Sequence, residues 1–294
     1  MTTPFGPVLT AMITPFGPDG AIDHGTVWEL ANHLIDTGSD GIVVGGTTGE
    51  APTLSEDEKV ALFRAVVDAV GSRATVVAGS GTYDTAESVH LTKRAAEAGV
   101  HGVMAVTPYY SRPSQQGLFE HFTAVAEASE VPVLVYNIPS RTGRLIEVDT
   151  LARLSAHPRI VAVKDAVGDL AFTTRTRLAC ADDFAIYSGD DILTLPIMAV
   201  GGIGIVSVAS HLAGEQVKAM VDAATAGDWT EARRYHLGLA PLFSALFLEP
   251  NPMGVKASLD ALWRPVGRPR LPLVAASVET VSAVKEALAA ARAL

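Results

Sequence analysis

A lysine at the end of an apolar run is the residue in this sequence best placed to do covalent chemistry. Residues 160–163 (Ile-Val-Ala-Val) have the composition of a strand buried on both faces, and Lys164 follows them directly. Burial of an amine lowers its pKa, and a neutral amine attacks a carbonyl carbon to form an imine. Taken alone, the segment favours the ordinary alternative, a strand-end lysine whose ammonium group reaches solvent.

An imine-forming lysine needs groups that hold its substrate and move protons. Thr47 and Thr48 lie in a glycine-rich run and offer hydroxyls and backbone N–H groups to a small carboxylate. Tyr136 is a candidate for proton transfer, and Arg141 for binding a second carboxylate through paired hydrogen bonds. For each there is a plain structural alternative: a loop that needs small residues, a strand-end tyrosine with a paired hydroxyl, and a surface arginine.

The elements that must position these residues alternate regularly along the chain. About eight short apolar runs, each followed by a helical pattern, predict an α/β fold closed into a (β/α)8 TIM barrel. A doubly wound open sheet is the alternative, but no Gly-x-Gly-x-x-Gly turn follows the first run. The apolar runs lie at residues 8–13, 41–44, 75–78, 103–106, 133–136, 160–163, 184–187 and 203–208.

The alternation stops near residue 228, and only helical patterns follow, at 230–247, 252–262 and 277–291. We therefore predict two domains, a catalytic barrel over 1–228 and a C-terminal helical appendage over 229–294. Barrel enzymes carry their chemistry at the carboxyl ends of the strands. The loops predicted at that end contain Lys164, threonines, tyrosines and Arg141.

Composition narrows the class of protein. The formal net charge is −10 and no basic cluster is present, which argues against nucleic acid as a partner. No apolar run is long enough for a membrane span, and the first residues lack a signal-peptide pattern. Cys180 is the only cysteine, so no internal disulfide is expected. These features predict a cytoplasmic protein with no membrane association.

Metal-ligand patterns are weak in this sequence. No two histidines lie three or four residues apart, and the pair Asp190-Asp191 is more typical of a turn or helix cap. The sequence therefore gives no reason to expect a metal site.

Several short motifs lie at the predicted strand ends and in the C-terminal region. In chain order they are Gly46-Thr47-Thr48-Gly49-Glu50, Thr107-Pro108-Tyr109-Tyr110, Tyr136-Asn137-Ile138-Pro139-Ser140-Arg141-Thr142-Gly143, Val163-Lys164-Asp165, Ser188-Gly189-Asp190-Asp191 and Glu249-Pro250-Asn251-Pro252. With this order and spacing, nearly the whole chain resembles the dihydrodipicolinate synthase / N-acetylneuraminate lyase family.

The resemblance implies a Schiff-base mechanism. Lys164 is then the residue that forms an imine with pyruvate, Thr47 and Thr48 hold the pyruvate carboxylate, and Tyr136 shuttles protons together with Thr47 and Tyr110. In the family the counterpart of Tyr110 reaches into the site of a neighbouring subunit, so a homotetramer built as a dimer of dimers is implied.

The resemblance also implies the second half of the reaction. The enamine of pyruvate would attack the aldehyde of aspartate 4-semialdehyde, in the biosynthesis of lysine and diaminopimelate, with no cofactor or metal. Arg141 would bind the carboxylate of the semialdehyde, and the backbone of Gly189 and Val206 would lie near the lysine adduct.

Two other functions are compatible with parts of the pattern. A related aldolase acting on a 2-keto-3-deoxy sugar acid would share the fold and the imine, although the sialic acid lyases lack the arginine found at Arg141. A catalytically silent protein that only binds small acids would need a missing nucleophile, whereas Lys164, Tyr136 and Thr47 are all present.

The sequence departs from the family pattern at the site where lysine inhibits some members. Family members inhibited by lysine carry histidines and an asparagine at positions that are here Glu56, Lys59 and Tyr83, while Glu87 and Tyr109 match. A carboxylate and a cation in place of imidazoles change both the shape and the charge of that site. We therefore expect weak or absent inhibition by L-lysine.

Overall fold

Eight parallel strands close into a barrel in the computed structural model, which describes residues 3–294. Each strand pairs with its neighbours in chain order, and the last pairs with the first. The predicted (β/α)8 barrel is therefore confirmed, and the open-sheet alternative is excluded because the sheet has no edge. The strands are β1 (Val8–Ala11), β2 (Gly41–Val44), β3 (Thr75–Gly79), β4 (Gly102–Val106), β5 (Val133–Asn137), β6 (Ile160–Asp165), β7 (Ala185–Ser188) and β8 (Gly204–Ser207).

Helices surround the barrel and continue beyond it. Those that alternate with the strands are α1 (His24–Asp36), α2 (Glu56–Val70), α3 (Thr85–Glu97), α4 (Gln115–Ala128), a single turn α5 (Pro139–Thr142), α6 (Val148–Ser155), α7 (Leu170–Ala179), α8 (Thr194–Ala199) and α9 (Ser210–Thr225). The C-terminal helices are α10 (Trp229–Ala245), α11 (Met253–Leu262) and α12 (Val278–Ala291).

The barrel core has two layers because side chains alternate between the faces of each strand. Inward-facing residues such as Leu9, Val43 and Tyr187 fill the barrel interior. Outward-facing residues such as Ile42 and Val163 pack against the surrounding helices in a second, larger cluster. The strands are therefore buried on both faces, which explains their continuous apolar runs.

Local signals account for the helix boundaries. Ser55 caps α2 with a capping box, in which Ser55 and Glu58 each accept from the other's backbone N–H. After β7, a 3₁₀ turn at Asp191–Leu193 precedes the short helix α8. Asp190 caps that turn by accepting the N–H of Ile192, as its sequence position suggested.

The last three helices cover one side of the barrel. Helix α10 packs against α9 and α12, and α11 packs against α12. The switch from alternating strands and helices to helices alone is observed at α10, whereas the division into domains 1–228 and 229–294 stays a prediction. Among residues 3–294, no helix is long and apolar enough to cross a membrane.

Candidate active site

Lys164 is buried inside the mouth of the barrel, one residue before the end of β6. In the sheet register it stands between Tyr136 of β5 and Tyr187 of β7. Neighbouring residues in register point to the same face, so Lys164 and Tyr136 both project into the barrel interior. The Lys164 Nζ lies 4.1 Å from the centre of the Tyr136 ring.

Burial has a direct chemical consequence for this amine. It lowers the pKa of Lys164 from 10.5 to about 7, because the apolar barrel interior destabilises the ammonium ion. The charge of Asp191 raises the pKa, and that of Arg141 lowers it, but burial is the largest cause. A substantial fraction of Lys164 is therefore neutral, and nucleophilic, at neutral pH.

Tyr136 is the group best placed to exchange protons with an adduct on Lys164. Burial raises the pKa of Tyr136 to about 12, while the charge of Arg141 and a hydrogen bond with Thr47 act in the opposite direction. The phenol is therefore protonated at neutral pH. It can donate a proton to the oxygen of a carbonyl adduct formed on the neighbouring Lys164 amine.

The glycine-rich loop after β2 brings Thr47 and Thr48 to the same end of the barrel. Gly45 opens the loop with a φ of +66°, a conformation that glycine adopts readily. Thr47 lines the cavity beside Tyr136. Thr48 is buried, and its hydroxyl accepts a hydrogen bond from Asn251 Nδ2 at 2.9 Å.

A cavity of about 520 Å³ opens at the carboxyl ends of β2 to β5. Thr47, Tyr136 and Arg141 share its wall. Arg141 stands on the single turn α5, which starts at Pro139, and its side chain is exposed. The cavity thus presents the exposed Arg141 guanidinium group, whose charge also acts on the buried Lys164 amine, a combination suited to a substrate that carries both a carbonyl and a carboxylate.

Gly189 lies against the stem of Lys164, and Val206 belongs to the barrel interior. A Cβ atom at Gly189 would be 3.1 Å from both Cγ and Cε of Lys164 and still closer to Ala166, so a side chain there would displace the lysine. Val206 is buried in β8 and belongs to the same interior cluster as Tyr136 and Tyr187. Gly189 therefore lies against the lysine stem, whereas the place of Val206 beside an adduct stays a prediction.

Tyr110 is not brought to this cavity by its own chain. Its side chain is 95% exposed, and its φ of +71° lies in the left-handed region that non-glycine residues rarely adopt. Of the predicted site residues, Tyr110 is the one whose side chain its own chain leaves almost fully exposed.

The sequence predicts Asp191 in a turn or helix cap, with no role in the chemistry. Its carboxylate is buried and accepts hydrogen bonds from the Ser207 hydroxyl and from the N–H groups of Val208 and Ala209. It also stabilises the ammonium form of Lys164. The sequence did not predict this contact with Lys164, because an aspartate in a short polar run is typical of a cap whether or not its carboxylate is buried.

A buried ion pair holds the far end of the threonine loop. Glu50 has a left-handed φ of +58°, and its carboxylate accepts hydrogen bonds from Lys256 Nζ at 2.7 Å and from Arg270 N at 2.8 Å. Lys256 Nζ also donates to Thr14 O at 2.9 Å. These contacts join the C-terminal helices to the candidate site, which the sequence did not predict.

The outer part of the cavity contains the residues compared above with the lysine-binding site of the family. Lys59, Tyr83, Glu87 and Tyr109 all line it. Burial lowers the pKa of Lys59, while Glu87 and Glu56 raise it. Glu56 turns to Arg94 and His90 instead of to the cavity.

The part of the chain that the structure covers contains no group of three or more histidine, cysteine, aspartate or glutamate side chains arranged as metal ligands.

Comparisons with known proteins agree with this architecture. The family model described as Dihydrodipicolinate synthetase family matches residues 4–291. The 4-hydroxy-tetrahydrodipicolinate synthase of Moorella thermoacetica is 53% identical over 287 residues, which is 98% of this chain and 97% of the relative. That of Heliobacterium modesticaldum is 52% identical over 282 residues, covering 96% of this chain and 94% of the relative.

Two solved structures extend the comparison to three dimensions. Dihydrodipicolinate synthase from Bacillus anthracis has a TM-score of 0.94 at 48% identity, covering 97% of this chain and 98% of that one. The enzyme from Cyanidioschyzon merolae, with lysine bound, has a TM-score of 0.96 at 43% identity over the full length of both chains. The predicted family is thus confirmed, and this chain belongs to the dihydrodipicolinate synthetase family.

Proposed function

We propose that this protein is an enzyme that condenses pyruvate with aspartate 4-semialdehyde to give 4-hydroxy-tetrahydrodipicolinate, in the biosynthesis of lysine and diaminopimelate. The observation that carries the proposal is the buried Lys164 amine, with a pKa of about 7, beside the protonated phenol of Tyr136. Relatives with this named activity share about half of their residues with the chain over nearly its whole length.

The first half of the reaction uses the neutral amine. Lys164 Nζ adds to the keto carbon of pyruvate, and the resulting carbinolamine loses its oxygen as water once that oxygen has been protonated. Tyr136 supplies this proton, because its raised pKa keeps it in the phenol form. Thr47 relays the proton back to Tyr136, and Thr47 and Thr48 hold the pyruvate carboxylate, next to the backbone of Gly189 and Val206.

The second half builds the new carbon–carbon bond. Loss of a methyl proton converts the imine to an enamine, whose terminal carbon attacks the aldehyde of the semialdehyde. The amino group of that substrate then attacks the imine carbon, the Lys164 amine leaves, and the ring closes. One water is released overall, and Lys164 returns to its starting form.

Arg141 determines the second substrate in this proposal. Its exposed guanidinium group at the cavity wall pairs with the carboxylate of the semialdehyde and fixes the aldehyde over the enamine. An aldolase for 2-keto-3-deoxy sugar acids would instead need hydroxyl-binding groups along a longer chain.

We further propose that the enzyme works in the cytoplasm as a homotetramer, a dimer of dimers, in which Tyr110 completes the proton relay of a neighbouring subunit. The 95% exposure of Tyr110 supports this assignment, because a partner can cover a side chain that its own chain leaves bare. Residues 1–228 are proposed as the catalytic domain and 229–294 as the helical domain.

Borohydride trapping tests the imine directly. The enzyme is mixed with pyruvate, reduced, and examined by intact mass and peptide mapping. We expect one reduced pyruvyl group per chain on Lys164, and none in Lys164→Ala. Lys93→Ala removes an exposed lysine and is the matched control, so it must trap as the unsubstituted enzyme does. Absence of the adduct on Lys164 would refute the proposal.

The second substrate is tested by steady-state assays with pyruvate plus aspartate semialdehyde, in parallel with cleavage of 2-keto-3-deoxy sugar acids. We expect turnover only in the condensation assay. Faster cleavage of the sugar acid would assign the protein to the aldolases. Sedimentation of the unsubstituted enzyme and of Tyr110→Phe separates the two roles of Tyr110: we expect an unchanged tetramer with reduced condensation activity.

A further inference from the structure

The turn between α10 and α11 carries Asn251, which reaches back to the threonine loop across 203 positions of sequence. Its side chain is 7% exposed, and Nδ2 donates to Thr48 Oγ1 at 2.9 Å. Thr48 itself is 3% exposed. A buried amide thus meets a residue that the proposed function assigns to substrate binding.

The direction of this hydrogen bond determines what the Thr48 hydroxyl can do. A threonine hydroxyl has one proton to donate, and here its oxygen is already an acceptor for Asn251. Within residues 3–294, Asn251 is the only hydrogen-bond partner of Thr48 Oγ1. The Thr48 proton therefore has no protein acceptor in the described chain and is available to a bound ligand.

The structure places Nδ2, and not Oδ1, on Thr48. Within residues 3–294, Asn251 Oδ1 has no hydrogen-bond partner. An amide oxygen in the place of Nδ2 would accept the Thr48 proton instead of leaving it for a ligand, so the orientation of the amide determines the role of the Thr48 hydroxyl.

We propose that Asn251 is a positioning residue that fixes the Thr48 hydroxyl as a hydrogen-bond donor to the carboxylate of the keto-acid substrate. This inference rests on the proposed function, and it names a residue of the C-terminal helical region as part of substrate recognition. A neutral amide suits the role, because it donates to Thr48 without bringing a negative charge near the carboxylate.

A second contact from the same region supports the assignment. Two residues beyond Thr48, Glu50 is held by Lys256 and by the N–H of Arg270. The C-terminal region thus binds the threonine loop at two places, one in its middle and one at its end. The Glu50 contact fixes the backbone of the loop, whereas the Asn251 contact fixes the orientation of a single hydroxyl group.

The experiment measures the pyruvate concentration that gives half-maximal borohydride trapping on Lys164, a readout independent of the second substrate. Asn251→Ala removes the donor, and we expect half-saturation to rise about tenfold, the effect of losing one hydrogen bond to a charged group. Asn251→Asp keeps the shape but accepts the Thr48 proton, so we expect an equal or larger rise. The KM for aspartate semialdehyde should change less than twofold.

A double-substitution cycle separates positioning from a general structural effect. In a Thr48→Val background the hydroxyl is gone, so we expect Asn251→Ala to have no further effect on half-saturation. Thr280→Val is the matched control. It removes the partly buried hydrogen bond from Thr280 Oγ1 to Glu249 in the same helical region without touching Thr48, and it should leave half-saturation unchanged.

Three results would overturn the inference: unchanged half-saturation in both Asn251 variants, an effect of Asn251→Ala that persists undiminished in Thr48→Val, or an equal rise in Thr280→Val. Asn251→Asp keeps the test decisive should Asn251→Ala fail to fold. Failure of the proposed function is recognised separately, because the unsubstituted enzyme would then show no trapping on Lys164 at any pyruvate concentration.

Discussion

The rate of imine formation with pyruvate is expected to follow the titration of the Lys164 amine, with a midpoint near pH 7. Burial lowers the pKa of Lys164 from 10.5 to about 7. At pH 7 about half of the amine is then neutral, against roughly one part in 3,000 for an ordinary lysine, which is a gain on the order of 10³ in the reactive form. The protonated amine cannot attack a carbonyl carbon, so this fraction sets the rate of addition.

The assay mixes the enzyme with sub-saturating pyruvate from about pH 5.5 to about pH 9, quenches with borohydride at set times, and reads the fraction of modified chain by mass. The rate should rise about tenfold per pH unit below pH 6 and level off above pH 8. Lys164→Ala, treated identically, corrects for modification of other amines. A rate that keeps climbing about tenfold per unit to pH 9 would show that the ammonium ion is not destabilised by the barrel interior.

Substitution of Arg141 should shift the pH midpoint of imine formation in a predictable direction. Its charge lowers the pKa of Lys164, although less than burial does. Arg141→Gln should therefore move the midpoint to higher pH, whereas Arg141→Lys keeps a cation and should leave the midpoint close to that of the unsubstituted enzyme. A midpoint that moved to lower pH in Arg141→Gln would contradict the arrangement of charges described here.

The remaining predictions concern activity, regulation and stability. Arg141→Ala should retain trapping of pyruvate but lose about 100-fold or more in kcat/KM for the semialdehyde, because a charge-assisted pair is lost; loss of trapping would contradict its assignment to the second substrate. L-Lysine at millimolar concentration should change initial rates less than twofold, and strong inhibition would show that the regulatory site survives its substitutions. Lys256→Met should lower the free energy of unfolding by about 3–5 kcal/mol in urea titrations, because the buried Glu50 carboxylate is left without a counter-charge, and adding Glu50→Gln should recover part of the loss. Lys164→Met should raise the melting temperature more at pH 6 than at pH 9. Between about pH 7 and pH 10 the unfolded chain binds the lysine proton and the folded chain does not, so burial of Lys164 lowers the stability by up to about 5 kcal/mol below pH 7 and by less as the pH rises. An equal rise in melting temperature at both pH values would exclude the buried ammonium ion as its cause.

The barrel and one wall of its cavity were predictable because both depend on short-range patterns. Apolar runs followed by helical periods gave the order of the strands, and the rule that barrel chemistry lies at the carboxyl ends of strands brought Lys164 and Tyr136 to the same end. The sequence did not show that Lys164 and Tyr136 are register neighbours, with Nζ 4.1 Å from the ring centre, because a shift of one residue would have turned one of the two side chains outward.

The contacts that cross the chain were not predictable. In sequence, Lys256 is one lysine in a helical pattern and Asn251 lies between two prolines, so neither shows a partner about 200 residues away. The role of Asp191 beside Lys164 was likewise hidden, since its acceptor bonds come from β8 and the turn after it. Periodicity reports which face of an element is apolar, and it carries no information about polar pairs between distant elements.

The attachment of the threonine loop through Glu50 and Lys256 also bears on when activity can first arise during synthesis. All eight strands leave the ribosome before Asn251 and Lys256 do. A nascent chain that has just completed its barrel therefore already carries the reactive lysine, yet the clamp on its carboxylate loop is still missing. Competence to bind the keto acid should follow closure of the sheet as a distinct, later event in the maturation of the enzyme.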